Sequence, residues 1–294
     1  MLRFTTVFLA IALAAPLAIL PSHARAADVP AVEDGKRKIN LSGRQRMLSQ
    51  RMAKAACFAA IDVNAPAHLA QARDAHALFE KTLHGLRYGD ADQGMNVEKN
   101  PRILEELTAV EELWTAYGAF VATASMSVDD AQTALPQIAL LNLPVLRQMN
   151  KSVGAFERHY GGTGEIHPVL ALAINVSGRQ RMLSQRASKE FCLILAGVNP
   201  QANRKALAET VTLFETSLVA LKNGSEDMGL PPAPTDEIQA QLQTVNNLWA
   251  PLKAVFDATV MGTMPSEAQI NQVARDNNPL LKEMNKAVLM YSQL

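Results

Sequence analysis

The segment Ser42-Gly43-Arg44-Gln45-Arg46-Met47-Leu48-Ser49-Gln50-Arg51 returns without a change as Ser177-Gly178-Arg179-Gln180-Arg181-Met182-Leu183-Ser184-Gln185-Arg186. Each copy packs three arginines into eight positions. Guanidinium groups present forked N–H donors that match the paired oxygens of carboxylates and planar oxyanions, so anion binding is the chemistry this block suits. Arg46 and Arg181 lie on a four-three stripe: Ile39, Gly43, Arg46, Gln50, Ala53, Cys57, Ala60, and again Ile174, Gly178, Arg181, Gln185, Ser188, Cys192, Leu195. A glycine, a guanidinium and an amide among small residues suit close approach of two helices around a polar guest. Two arginines brought together there repel unless something negative lies between them, because unpaired charge taken from water costs several kcal/mol. Arg46, Arg181, Gly43, Gly178, Gln50 and Gln185 are therefore the candidate ligand residues. Arg44 and Arg51, like Arg179 and Arg186, fall on another stripe and are expected to support the box by pairing with acids such as Glu105, Glu106 or Glu112. A purely structural reading stands beside this one: all six arginines pair with carboxylates and no ligand exists.

Other chemistry finds little footing. No Ser/His/Asp, phosphate-loop or deaminase spacing occurs, so no enzyme and no cofactor is expected. His68, His76 and His84 are spaced by eight, but Asn203, Val211 and Val219 at the equivalent positions cannot hold a metal. Trp114, Trp249, Phe79 and Phe214 read as packing.

The elements that must position the arginines form a tandem duplication at an offset of 135, which also matches Cys57 with Cys192, Trp114 with Trp249, and Met149-Asn150-Lys151 with Met284-Asn285-Lys286. Apolar residues recur at three and four, and Ala, Leu, Gln, Glu and Met dominate, which predicts helices. They are expected at about 31–62, 67–87, 99–124 and 129–160, then 167–197, 201–222, 235–260 and 266–292. Ser127 and Ser266 read as N-caps, while Pro136, Pro144 and Pro279 are expected to kink the fourth helices or make them start late. The expectation is an all-α protein of two tandem up-down four-helix bundles, 27–160 and 161–294. Bundles joined end to start leave their first helices parallel, so the repeats can form an internal pseudo-dimer. Cys57 and Cys192 are then either buried thiols or a disulfide between the repeats.

Arg3, an apolar run from Phe4 to Leu20, Pro21 and the small-x-small site Ala24-Arg25-Ala26 read as a secretory signal peptide over 1–26, cleaved near Ala26. No later apolar run approaches the roughly 18 residues that span a bilayer, so a periplasmic protein without membrane insertion is expected. Loss of Arg3 and Arg25 takes the balanced 28 basic and 28 acidic residues to a net charge of −2, which gives no global attraction for nucleic acid.

The arginine block resembles the PilJ-type N-terminal domain of type IV pilus chemotaxis transducers and the related box of NarX-like nitrate/nitrite sensor kinases, approximately A-G-S-L-R-M-Q-S-Y-R-L. Gly43, Arg46-Met47, Ser49 and Arg51 keep that pattern, whereas Arg44, Gln45 and Gln50 follow the PilJ-type version. The resemblance implies that Arg46 and Arg181 hold one nitrate between paired helices, with Gly43 and Gly178 lending backbone approach. It implies a periplasmic sensory protein that binds nitrate or nitrite and reports to a membrane sensor kinase, chemoreceptor or transporter. The competing expectation is a periplasmic adaptor or scaffold of pilus or chemotaxis-type machinery, with the arginines structural.

Overall fold

A computed structural model describes residues 29–163 and 166–294, and the leader read over 1–26 lies outside them. Eight helices follow in order: α1 (Ala31–Ala60), α2 (Ala65–Tyr88), α3 (Pro101–Ala124), α4 (Val128–Gly162), α5 (Pro168–Leu195), α6 (Pro200–Asn223), α7 (Asp236–Val260) and α8 (Glu267–Ser292). The fold is all-α, interrupted by a two-stranded hairpin of β1 (Gly224–Ser225) and β2 (Leu230–Pro232). The turns are set by local chemistry. Asn64 and Asn199 take the left-handed conformation, at φ 45° and 44°, that asparagine tolerates. A proline follows each within the first two helical positions, where its missing N–H costs nothing.

The interior prolines do not delay the helices, contrary to the late starts their positions suggested. Helix α4 begins directly after Ser127, whose Oγ accepts from the Asp130 N–H, and runs through Pro136 and Pro144. Helix α8 begins after Ser266 in a reciprocal capping box with Gln269 and runs through Pro279. The caps satisfy first-turn donors and fix where the helices start, while each proline removes one ladder bond further along, which tertiary packing of the helix offsets.

Helices α1 to α4 pack on one another, as do α5 to α8, and the two sets meet where α1 lies against α5. Phe79 stacks on Trp114 at 4.1 Å and Phe214 on Trp249 at 3.9 Å, one aromatic pair in each set. Helices α1 and α5 are buried on nearly every side through their middle turns. A helix enclosed all round cannot hand its polar side chains to water and must satisfy them internally. A disulfide joins Cys57 of α1 to Cys192 of α5, with Cα atoms 6.0 Å apart and both residues fully buried.

Candidate anion site between the central helices

Arg46 and Arg181 cross the α1–α5 contact in opposite directions. The Arg46 Nη2 donates to Asn175 Oδ1 at 2.7 Å and to the Asn175 carbonyl at 3.2 Å, and its Nη1 donates to Asn150 Oδ1 at 3.2 Å. The Arg181 Nη2 donates to the Asn40 carbonyl at 3.0 Å and its Nη1 to Asn285 Oδ1 at 3.3 Å. The two side chains are 2% and 3% exposed. All of these acceptors are neutral amide oxygens, and both Nε atoms are buried without a partner. A β-carbon on Gly43 would sit 3.4 Å from the Arg46 Nη2 and 3.5 Å from the Arg181 Nη2; on Gly178 the distances would be 3.2 Å to Arg181 and 3.7 Å to Arg46. The two like charges thus converge on one spot beside both glycines, where a β-carbon would make ordinary contact at Gly43 and a tight one at Gly178. Burial, with Arg179 and Arg181 nearby, pushes Arg46 down to about 9, against the opposing field of Glu157. Burial and Arg44 push Arg181 to the same value.

The outer arginines take partners other than the acids expected for them. Arg44 donates to Thr82 Oγ1 and Gln93 Oε1, both at 2.7 Å, and Arg51 donates to Asn278 Oδ1 at 3.1 Å. Arg186 pairs with Glu190 at 2.7 Å on its own helix, and Arg179 lies in the field of Glu157. Glu105 and Glu112 are exposed on α3 and Glu106 binds the Gln148 amide, because α3 packs chiefly on α4 and lies across its bundle from the arginine face of α1. The histidines lie apart from one another in aromatic contacts: His68 on Phe58, His76 on Trp114 and His84 on Tyr88.

Gln50 and Gln185 sit one turn beyond the arginine pair, in a second polar layer that sequence reasoning missed. Lys189 Nζ donates to Gln50 Oε1 and to Asn142 Oδ1, both at 3.0 Å. Lys54 Nζ donates to Asn277 Oδ1 at 2.9 Å, which also accepts from Gln185 Nε2 at 2.5 Å. Each lysine therefore reaches the fourth helix of the other set. The signal that could have found this layer is positional: Lys54 and Lys189, and Asn142 and Asn277, are matched at the same offset of 135 as the arginines.

Burial pushes Lys189 down to about 8, with Glu190 opposing and Arg186 assisting, and burial and Arg51 hold Lys54 well below the usual lysine range. An unfolded lysine titrates near 10.4, so between about pH 8 and 10.4 the unfolded chain binds the extra proton and folding gains as pH rises. Denaturant unfolding at pH 7.5 and 10 should show the native protein gaining about 1–3 kcal/mol from these groups, with a smaller gain in Lys189→Met. A stability difference between native and variant that does not change with pH would count against the burial of a charged lysine.

A cleft of about 870 Å³ opens between α1, α2 and α8 and reaches down to Arg181, with Asn40, Arg44 and Asn285 in its walls. Among the described residues no group of three or more His, Cys, Asp or Glu is placed to hold a metal, and no helix is long and apolar enough to cross a membrane.

The structure is thus two four-helix sets that meet along paired arginine-bearing helices. The family model of the type IV pili methyl-accepting chemotaxis transducer N-terminal domain, PilJ, matches residues 32–139 and 170–275. The matches cover well over half of the sequence, and the chain belongs to the PilJ family. It is also similar to the methyl-accepting chemotaxis protein McpN of Pseudomonas aeruginosa, at 31% identity over 119 residues, 40% of this chain and 22% of that protein. The chain thus spans about a fifth of the length of that relative.

Proposed function

We propose that this chain is an exported sensory protein that binds one small planar oxyanion, nitrate or nitrite first, between Arg46 and Arg181. One observation carries the reading: two buried guanidiniums converge beside Gly43 and Gly178, hydrogen-bonded to neutral amides only, with both Nε atoms unpartnered. An oxyanion between them replaces repulsion with charge-assisted hydrogen bonds. The proposed sensory units 27–160 and 161–294 are supported by PilJ matches at 32–139 and 170–275, one inside each, and the disulfide accords with an oxidising, periplasmic compartment. The similarity to a chemotaxis receptor supports reporting to a membrane partner such as a chemoreceptor, sensor kinase or transporter.

Calorimetric titration tests the reading. Nitrate or nitrite should saturate near one anion per chain, with sulfate and chloride weaker, and the Arg46→Ala/Arg181→Ala variant should give no binding heat while remaining folded. A double variant that binds as the native protein does would remove the proposal. A second reading, a pilus- or chemotaxis-associated adaptor with structural arginines, is favoured by one fact: every Nη of the pair already has a protein acceptor. An absence of heat with all four anions would select it.

A further inference from the structure

The repeats differ where their symmetry would demand a carboxylate. On one side of the α1–α5 contact, the Asn175 amide donates to Glu157 Oε2, and the charge of Glu157 opposes the burial of Arg46 and Arg179. The position matching Glu157 at the offset of 135 is Ser292, whose hydroxyl is turned to the Leu289 carbonyl of its own helix. Asn40, the match of Asn175, is 8% exposed; its Oδ1 has no partner and its amide makes no hydrogen bond to the described residues. Arg44, the match of Arg179, has neutral partners only, and no acid offsets its burial. All three residues, with Arg181, border the 870 Å³ cleft.

We infer that this cleft is a second binding site, which takes an organic acid whose carboxylate sits beside Asn40 and Arg44 much as the Glu157 carboxylate accepts from Asn175 in the field of Arg179. The cleft is within the size range of small-molecule sites. Its lining includes Arg37 and Lys282, with Lys36 paired to Glu33 at 3.5 Å and Asp74 in the field of Arg51, so the surplus of charge is positive. Leu41, Leu48, Leu78, Leu281 and Leu289 supply apolar wall, which calls for a ligand with a hydrocarbon body behind the charged head. The carboxylate accepts from the Asn40 amide and the Arg44 guanidinium, and the body lies on the leucines.

Asn40 gives Arg181 only its carbonyl, whereas the carboxylate takes its side-chain amide, and Ser292 has no hydrogen bond to either arginine of the pair, so Ser292→Glu tests this second site apart from the oxyanion reading. Butyrate and benzoate serve as probes in calorimetric titrations of the full chain, with nitrate run alongside. The expected result is about one carboxylate per chain and an affinity at least about tenfold weaker in Ser292→Glu, which supplies the carboxylate from the protein, with the nitrate isotherm unchanged. Native protein that binds neither butyrate nor benzoate overturns the inference, as does Ser292→Glu binding them like the native chain. Should that variant fail to fold, Arg44→Gln replaces it, and undiminished carboxylate affinity there overturns the inference equally. Carboxylate binding without nitrate binding leaves this site standing and removes only the oxyanion reading.

Discussion

Loss of the Cys57–Cys192 bond should lower the unfolding free energy by about 4–5 kcal/mol, among the largest effects of any single covalent change in this chain. The bond closes a loop of 135 residues, and in the chain-entropy account a cross-link that long withdraws most from the unfolded ensemble. Both sulfurs lie among apolar and small residues of α1 and α5, so Cys57→Ala/Cys192→Ala removes the link without burying a new polar group. Urea unfolding of this variant beside the native protein measures the difference. A loss under about 1 kcal/mol would mean that the noncovalent α1–α5 contact already holds the two helical sets together when the chain is largely unfolded.

Replacing Arg181 should separate binding from stability. Arg181→Ala is expected to weaken nitrate or nitrite binding by at least about 100-fold, or about 3 kcal/mol, the worth of a charge-assisted fork. The same change should leave the anion-free protein within about 1–2 kcal/mol of native stability, because it also removes one of two buried like charges. The acceptors it abandons, the Asn40 carbonyl and Asn285 Oδ1, belong to residues bordering the cleft, where water can replace the lost donor. Arg181→Lys keeps the charge and loses the fork, so it should bind a planar oxyanion poorly while binding chloride as the native protein does. Calorimetry with denaturant unfolding on the three proteins gives the answer. If Arg181→Ala destabilises the anion-free fold by much more than 2 kcal/mol, the arginine is structural and the adaptor reading gains.

The arginine stripe is legible in the sequence because its spacing is helical and its repetition is literal. Each helix lies within about two residues of its expected span, since Asn-Pro turns and serine caps mark the ends chemically. The partners of the arginines are not legible there. Asn40 and Asn175, and Asn150 and Asn285, are matched at the same offset of 135, but they come from four helices and that repetition does not say which residue each will face. Pairing Arg44 and Arg51 with Glu105, Glu106 or Glu112 rests on opposite charge alone, and charge complementarity says nothing about which helix lies across a bundle. Lys54 and Lys189 are hidden by the ordinary expectation that lysine faces water, although their matched positions place them on the same buried helices as the arginines.

Carrying both arginine boxes on one polypeptide changes what mutation can do. In a receptor built from two identical chains every substitution is made twice, so a carboxylate gained or lost on one side of the interface is gained or lost on the other. Here Glu157 and Ser292 descend from equivalent positions yet differ, and no second gene is needed to keep them different. The duplicated chain can hold one half fixed as an internal counter-ion while the other half is free to acquire a new ligand. Both arginines of the proposed site also come from one chain, so forming that site requires no pairing of two separate chains.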